Sequence, residues 1–421
     1  MTNPTFSPRH ARTVLGLLAA INVLNFIDRQ VIFILFEPVK RDLHLSDTAL
    51  GLLGGFGFAI FFALMSIPLG RVADRWSRRK LIALGVAAWS AMTAMSGFAR
   101  SFTQLFVARM GVGIGEASFG PAALALISDL FPPERRASVM AVFASGVPIG
   151  AGLGLVIGGF VAARYGWRAA FWVLGAPGLV LALLAWRMPE PPRGHAEGLA
   201  ADGGATDPKA LGEIFLRTPT LRYHVLGVSC IVFAIAAFGA WAPSFLQRHH
   251  GFSVREAGGL SGAVFATAGL VGVLLGGALS DTLARRRADG RMRLILYGAL
   301  VAAPLTVGTL YLRARGPFLA CFWLNTAVSS MWFSPATATV HDCVEPRHRG
   351  IAVAVYLALL NILGFALGPL AVGAASDWTG DLRLGMLLCP VAGLLGAAIL
   401  RVGARHIEAD RARALARAAG A

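Results

Sequence analysis

Apolar runs of about 20 residues recur along the chain, each closed by a short polar turn. That is the length an α-helix needs to cross a hydrocarbon core roughly 30 Å thick. Twelve such runs are legible, centred near Asn25, Ile60, Ala88, Gly115, Gly150, Val180, Phe233, Leu270, Leu305, Ser330, Gly364 and Leu395. In lipid a backbone must satisfy its own polar groups, so every run is expected to be helical. The pattern predicts an all-α polytopic membrane protein.

Composition agrees with the pattern. Of 421 residues 56% are hydrophobic and only 14% charged, and the mean hydropathy is +0.66, far above an ordinary soluble chain. Basic residues accumulate in short cytoplasmic loops. With the N-terminus inside, most of the 38 Lys and Arg fall in the inner segments, which places both termini in the cytoplasm. A net charge of +16 spread over loop ends in this way leaves no basic domain for a nucleic acid, and none is expected as a partner. The opening "MTNPTFSPRHART" leads straight into a full-length apolar run, so the first helix is expected to be its own insertion signal. Cys230, Cys321, Cys343 and Cys389 lack metal-ligand spacing and read as small packing residues.

A change of composition divides the chain. Residues 189–210, "PEPPRGHAEGLAADGGATDPKA", are rich in Pro, Gly and Ala and read as a flexible connection. The expected organisation is an N-terminal six-helix bundle over 1–188, a cytoplasmic linker over 189–220 and a C-terminal six-helix bundle over 221–421. The stretch "LGEIFLRTPTLR" that begins at Leu211 fits either a short surface helix or an extended linker.

The halves repeat each other. "GRVADRWSRRK" after the second run carries Gly70, Asp74, Arg78 and Arg79; "GALSDTLARRR" after the eighth carries Gly277, Asp281, Arg285 and Arg286 at the same offsets. A second match lays "FGP…SDLFPPERR" (Phe119 to Arg136) over "FSP…HDCVEPRHR" (Phe333 to Arg349). Parallel six-helix repeats are one architecture of secondary transporters, with substrate bound near the midplane.

The Gly-x-x-x-Asp-Arg-x-x-Arg-Arg loop, its degenerate copy and the 6+6 plan resemble the major facilitator superfamily over nearly the whole chain. Within it, "LNFIDRQ" in the first span, "RMGVGIGEASFGP" in the fourth, "ISDLFPPERRA" beyond it and "VPIGAGLG" in the fifth resemble the spinster-like transporters of lysolipids and sphingoid phosphates. Anion:cation symporters of sugar acids carry similar Asp-Arg and Arg-to-Gly-Glu patterns, which alone do not separate the two families; the span-five motif favours the spinster side.

Charge inside the spans is the candidate chemistry. A charged side chain at a helix centre costs about 2.5–3.5 kcal/mol on insertion scales, so Asp28 and Arg29 call for partners. The fourth span offers Arg109 and Glu116, seven residues and two turns apart on one face, with Gly113 and Gly120 on the same stripe for close approach. Two acids and two bases form a neutral set. Protonating Asp28 or Glu116 frees an arginine to change partners or to bind an anion, which is how a carboxylate couples protons to conformational change. The alternative is a fixed salt-bridge cluster that pins helix one to helix four. The glycines of "GVGIG" and "GAGLG" sit inside apolar spans with no preceding strand, so they read as helix-packing surfaces and not as a phosphate loop.

Gly70, Asp74, Arg75, Arg78 and Arg136 form the candidate cytoplasmic gate. Asp74 closes the second span, at the negative pole of its helix, and needs a cationic or helix-N-terminal partner, either Arg136 or the start of the eleventh span. The superfamily resemblance implies an electrostatic latch here.

A membrane-embedded enzyme would need a nucleophile or metal set, and the nine histidines stand nearly all in loops or at span ends with no ligand spacing. A channel would need polar rings along one path. No enzyme, cofactor or metal is expected. The remaining reading is a monomeric, proton-coupled carrier in the cell or inner membrane, in contact with membrane lipids and moving a small-molecule or lipid substrate. In the second half the mid-span polar side chains are mainly Thr267, Asn325, Ser329, Ser330, Thr337 and Asn361, among aromatics such as Trp241, Trp323, Trp332 and Tyr356. The candidate substrate contacts are Arg29, Arg109, Asn325, Ser329, Trp332 and Asn361. A wall of charge facing a wall of apolar groups suits an anionic amphiphile, with a sugar acid as the alternative.

Overall fold

A computed structural model of the protein describes residues 8–192, 215–345 and 348–418. Most of the expected linker lies outside that set, as do Leu211, Ile214 and the side chain of Asp74; residues 215–217 are helical. Among the described residues there is no strand.

The chain runs α1 (Pro8–Ile34), α2 (Phe36–Leu43), α3 (Asp47–Gly51), α4 (Gly57–Arg75), α5 (Arg78–Ser96), α6 (Phe102–Glu116), α7 (Phe119–Leu130), α8 (Pro133–Ala144), α9 (Gly146–Tyr165) and α10 (Trp167–Arg187). After the linker come α11 (Pro219–His249), α12 (Val254–Arg286), α13 (Gly290–Tyr311), α14 (Arg315–Ser329), α15 (Phe333–Cys343), α16 (Arg349–Leu360), α17 (Leu367–Thr379), α18 (Leu382–Met386), α19 (Leu388–Gly403) and α20 (Ile407–Ala418). Two units result, Met1–Gly203 with Pro243–Ala266, and Gly204–Ala242 with Thr267–Ala421. The end of α11 and the start of α12, which in sequence belong to the second repeat, therefore cluster with the first unit.

Helix is present at all twelve expected centres. Ten helical stretches among the described residues are long and apolar enough to cross a bilayer. The other two centres fall on α5, whose leading Arg78, Arg79 and Lys80 shorten its apolar run, and on the 3₁₀ turn Ser330–Trp332 that separates α14 from α15. Large apolar side chains such as Phe160, Val180, Leu274 and Val391 are exposed along the long helices, as expected where lipid is the solvent.

The first unit is positioned by glycine. Gly146, Gly150, Gly154 and Gly158 recur every fourth residue on α9 and face Asn22, Val23, Ile27 and Val31 of α1. A Cβ at Gly154 would lie 2.8 Å from the Ile27 carbonyl oxygen, and one at Gly158 2.8 Å from Val31 Cγ2, so only glycine permits this approach. The opposite stripe meets the start of α12, where a Cβ at Gly159 would stand 2.8 Å from the Val254 carbonyl. In α6, a Cβ at Gly113 would lie 2.6 Å from the Phe58 carbonyl oxygen and one at Gly115 2.9 Å from the Trp89 backbone nitrogen. Gly120, expected on the same stripe, has nothing within 4 Å of its Cβ position, because the helix breaks between Glu116 and Phe119 and the register changes there. The second unit has its own core, in which Leu221, Val225, Val232, Met292, Val340, Tyr356 and Leu400 are buried together.

The end of α10 is tied to the start of α5 by a polar cluster. Ser77 caps α5, accepting from the Lys80 N–H at 3.3 Å, and its hydroxyl donates to Glu190 Oε2 at 2.5 Å. Glu190 Oε1 accepts from the Arg78 N–H at 2.9 Å and from Arg78 Nε at 3.3 Å. Arg78 also donates to Asp129 and, at 2.8 Å, to the Pro191 carbonyl. Partial burial works to raise the Glu190 pKa, but these hydrogen bonds from Ser77 and Arg78 outweigh it and hold the carboxyl below the ordinary glutamate value. A lowered pKa contributes stability that is complete above the ordinary value near 4.3 and is lost as pH falls through the folded value. Glu190→Gln should accordingly cost about 1–2 kcal/mol at neutral pH, and the difference from wild type in thermal unfolding should shrink below about pH 4. A difference that stays constant from pH 7 to pH 3 would refute this account.

Candidate functional site

α1 carries Asp28 and Arg29 on adjacent positions, which in a helix point about 100° apart, so the two charges reach different neighbours. Arg29 Nε donates to Glu116 Oε2 at 2.6 Å, with side-chain exposures of 23% and 0%. Its guanidinium lies over the rings of Phe26, Phe58 and Phe62 at 5.0, 4.8 and 4.6 Å. Cation–π contacts of this kind contribute about 0.5–2 kcal/mol each, more where water is excluded. Arg29 is thus held on one side by a carboxylate and caged by three aromatics, while its remaining edge stays partly open.

Asp28 turns the other way. It is fully buried, and neither carboxyl oxygen has a hydrogen-bond partner. Trp89 Nε1 and Thr93 Oγ1 of α5 lie within polar reach of it, yet none of the three groups closes a hydrogen bond. Arg109 does not pair with that carboxyl: its Nη1 donates at 3.1 Å to the Asp28 backbone carbonyl, and its Nε is without a partner. Arg109 also faces the Phe58 ring at 5.7 Å and is fully buried. Glu116 keeps one oxygen, Oε1, free, with the Asn25 amide beside it. The structure therefore brings all four expected charges together but as one direct ion pair, Arg29–Glu116, and one indirect contact, Arg109 to the Asp28 backbone. Asn25, Trp89, Thr93 and the phenylalanine cage were not singled out in the sequence, since an uncharged polar or aromatic residue inside a span carries no signal by itself.

The second-unit candidates are placed as follows. Asn325 is buried and its Oδ1 accepts from Thr306 Oγ1 at 3.1 Å and from Ser329 Oγ at 3.5 Å. Asn361 opens a π-helical turn, Asn361–Ala366, and its amide donates to the Leu357 carbonyl at 2.8 Å. Trp332 packs against the apolar core of the unit. Thr326, Ser330 and Thr337 spend their hydroxyl protons on carbonyls of their own helix.

Of the gate candidates, Gly70 has open space around it and Arg75 is exposed. Arg78 is buried in the cluster with Asp129 and Glu190. Arg136 donates to the Ser128 carbonyl at 2.8 Å and the Phe131 carbonyl at 3.2 Å, capping the end of α7. Asp342, at the end of α15, bonds Arg291.

One network had no counterpart in the sequence reading. On the stretch of α11 that clusters with the first unit, Arg248 binds Asp47 through two bonds of 2.6 and 2.7 Å and Glu37 at 2.7 Å, and Lys40 reaches Asp47 at 2.5 Å. Glu37 and Asp47 are 5% and 2% exposed. Arg248 stands at a span end and was counted only for topology; two acids at the mouths of α2 and α3 were the available signal.

Comparison with known proteins agrees with this geometry. The family model of the Major Facilitator Superfamily matches residues 18–369. An MFS-type efflux pump of Mycolicibacterium smegmatis is 35% identical over 402 residues, covering 94% of this chain and 92% of that protein. Protein spinster of Drosophila melanogaster is 32% identical over 374 residues, 86% of this chain and 61% of the relative. Among solved structures, a bacterial homologue of the human lysosomal transporter Spinster, in an inward-facing and unoccupied conformation, superposes with a TM-score of 0.87 at 27% identity, over 96% of this chain and 99% of that one. Matched along most of its length by sequence and by fold, the chain belongs to the major facilitator superfamily, as a spinster-like integral membrane transporter.

Proposed function

We propose that the protein is a proton-coupled secondary transporter of an anionic amphiphile, a lysolipid or sphingoid phosphate in chemical type, working by alternating access. The observation that carries the coupling is the division of labour among the buried charges. Glu116 holds Arg29 by a bond of 2.6 Å, while Asp28 is buried with no cation on its carboxyl. Protonation of Glu116 removes the counter-charge of Arg29, whose partly open edge then receives an anionic head group; deprotonation restores the pair and expels it. Arg109 positions the α1 backbone at Asp28, and Asp28 is the second candidate proton carrier. In this reading Asp74 closes the cytoplasmic side, both termini lie in the cytoplasm and the protein acts as a monomer.

Two features favour an amphiphile over a sugar acid. Arg29 sits among three phenylalanine rings, which suit the junction of a charged head and an acyl chain. In the second unit the hydroxyls of Thr326, Ser330 and Thr337 and the Asn361 amide already donate to their own helices, so few donors remain for a polyhydroxylated ligand, and an unmatched polar group in a dry site costs about 1–3 kcal/mol. Affinity should rise with acyl-chain length by up to about 0.8 kcal/mol per buried methylene. A titration of lysophospholipids of increasing chain length against the purified protein checks this; equal affinities together with tight binding of a short hydroxylated carboxylate would select the sugar-acid reading.

A further inference from the structure

The two units each contain an arginine at the start of the third helix of their repeat, paired with an aspartate 51 residues later: Arg78 with Asp129 and Arg291 with Asp342. The pairs are the same in kind, Nη1 to Oδ2 in both. Their surroundings differ. In the first unit the segment that follows α10 folds back and supplies Glu190, whose carboxylate takes Arg78 Nε, while the next residue's carbonyl takes Nη2. In the second unit Arg291 Nε is buried without a hydrogen-bond partner. The segment that follows the last long helix, α20, brings an arginine, Arg411, to the corresponding place. Its neighbour Asp410 is already committed, accepting from the Thr220 N–H at 2.8 Å and pairing with Arg413 at 2.7 Å.

What the second unit has in place of a closed ion cluster is a cavity of about 280 Å³, lined by Asp281, Ala284, Arg285, Arg291, Asp342 and Arg411. Three guanidiniums face two carboxylates there, and one of those carboxylates already belongs to Arg291. Arg285 and Arg411 are exposed side chains. The volume accommodates a phosphate group with several waters, each of which takes about 30 Å³. A guanidinium recognises phosphate and carboxylate oxygens through the same planar fork, so an exogenous oxyanion can do in the second unit what Glu190 does in the first. We propose that the cavity formed by Arg285, Arg291 and Arg411 binds the phosphate group of an anionic ligand, completing from outside the chain the ion cluster that the first unit completes with its own glutamate. The phosphate can come from a lipid head group or from a soluble phosphate, and the two sources are separable by experiment.

The whole protein, reconstituted in nanodiscs of phosphatidylcholine, is unfolded thermally in three conditions: phosphatidylcholine alone, with phosphatidylglycerol added, and with inorganic phosphate titrated against sodium chloride of matched ionic strength. The expected result is a rise in unfolding midpoint with one of the two phosphates; phosphatidylglycerol alone identifies the lipid source, and inorganic phosphate the soluble one. Arg411→Ala and Arg285→Ala should each weaken the half-saturating concentration by about tenfold, the scale of one lost charge-assisted contact. Arg411→Glu is the sharper variant, because it places a carboxylate of the chain beside Arg291 as Glu190 stands beside Arg78. It should abolish the response to phosphate and be more thermostable than Arg411→Ala in phosphatidylcholine alone. A wild-type midpoint indifferent to both phosphates, or an Arg411→Glu protein that responds as wild type does, would overturn the proposal.

Discussion

Glutamine in place of Glu116 should leave the protein folded yet reduce substrate accumulation driven by a proton gradient to the equilibrium ratio. One pH unit supplies about 1.4 kcal/mol per proton, a tenfold concentration ratio. Wild type should therefore reach about tenfold accumulation per coupled proton in reconstituted vesicles, and Glu116→Gln about onefold. The glutamine carbonyl can still accept from Arg29 Nε in the place of Glu116 Oε2, so geometry is kept while the counter-charge is removed for good. The variant stands in for the protonated state and cannot return. Asp28→Asn makes a separate test, since the Asp28 carboxyl has no hydrogen-bond partner to lose; the variant should fold normally, and it shows loss of accumulation only where Asp28 also carries a proton. If the charges merely pin α1 to α6, the outcome reverses: accumulation persists, and Glu116→Gln appears mainly as instability, approaching the roughly 3–5 kcal/mol seen when one partner of a buried pair is removed.

Arg248→Ala should be among the most destabilising single substitutions in the first unit. It strips Glu37 and Asp47 of three hydrogen bonds between 2.6 and 2.7 Å and takes the guanidinium away from two nearly buried carboxylates, of which Asp47 keeps its bond to Lys40. Removing the cation from buried acids costs about 3–5 kcal/mol, and the 22% exposure of the Arg248 side chain puts the expectation near 3 kcal/mol. Arg248→Lys should recover part of it, because an ammonium keeps the charge but not the fork that grips Asp47 at both oxygens. Combining Arg248→Ala with Glu37→Gln and Asp47→Asn should restore stability relative to the single variant, since the uncompensated charges are then gone. Thermal unfolding in detergent, with the three variants and wild type compared at one pH, decides this. A loss below about 0.5 kcal/mol for Arg248→Ala, the scale of an exposed pair, would show that the network is ornamental.

Much of the architecture was legible from the chain. Span length and apolarity are local quantities, and the hydrocarbon core imposes them on each segment separately, so helix stands at every expected centre. The glycine runs of α6 and α9 were readable as packing surfaces for the same reason: a four-residue spacing puts small residues on one face whatever lies opposite, and the faces of Gly113 and Gly154 do meet backbone carbonyls. Gly120 shows the limit of that argument. It lies seven residues, two turns, beyond Gly113, but the break after Glu116 moves it to another face, and a break of two residues leaves no mark in hydrophobic periodicity.

The charges divide along the same line. That Asp28, Arg29, Arg109 and Glu116 must find company followed from the cost of a lone charge in lipid, a property of each residue and its depth. Which acid meets which base did not follow, because it depends on the rotation of α1 against α4, α5 and α6, set by side-chain volumes from four segments far apart in the chain. Tertiary structure alone gave Glu116 to Arg29, turned Asp28 toward Trp89 and Thr93, and left Arg109 holding a backbone carbonyl. It likewise made Arg78, expected at the gate, and Arg248, counted only for topology, the centres of ion clusters, and it closed one of two matching clusters with Glu190 while leaving the other as a basic cavity. Local sequence determined what each segment needs from its surroundings; long-range packing decided who supplies it, since partners in space are fixed by the simultaneous fit of many helices and by no segment alone.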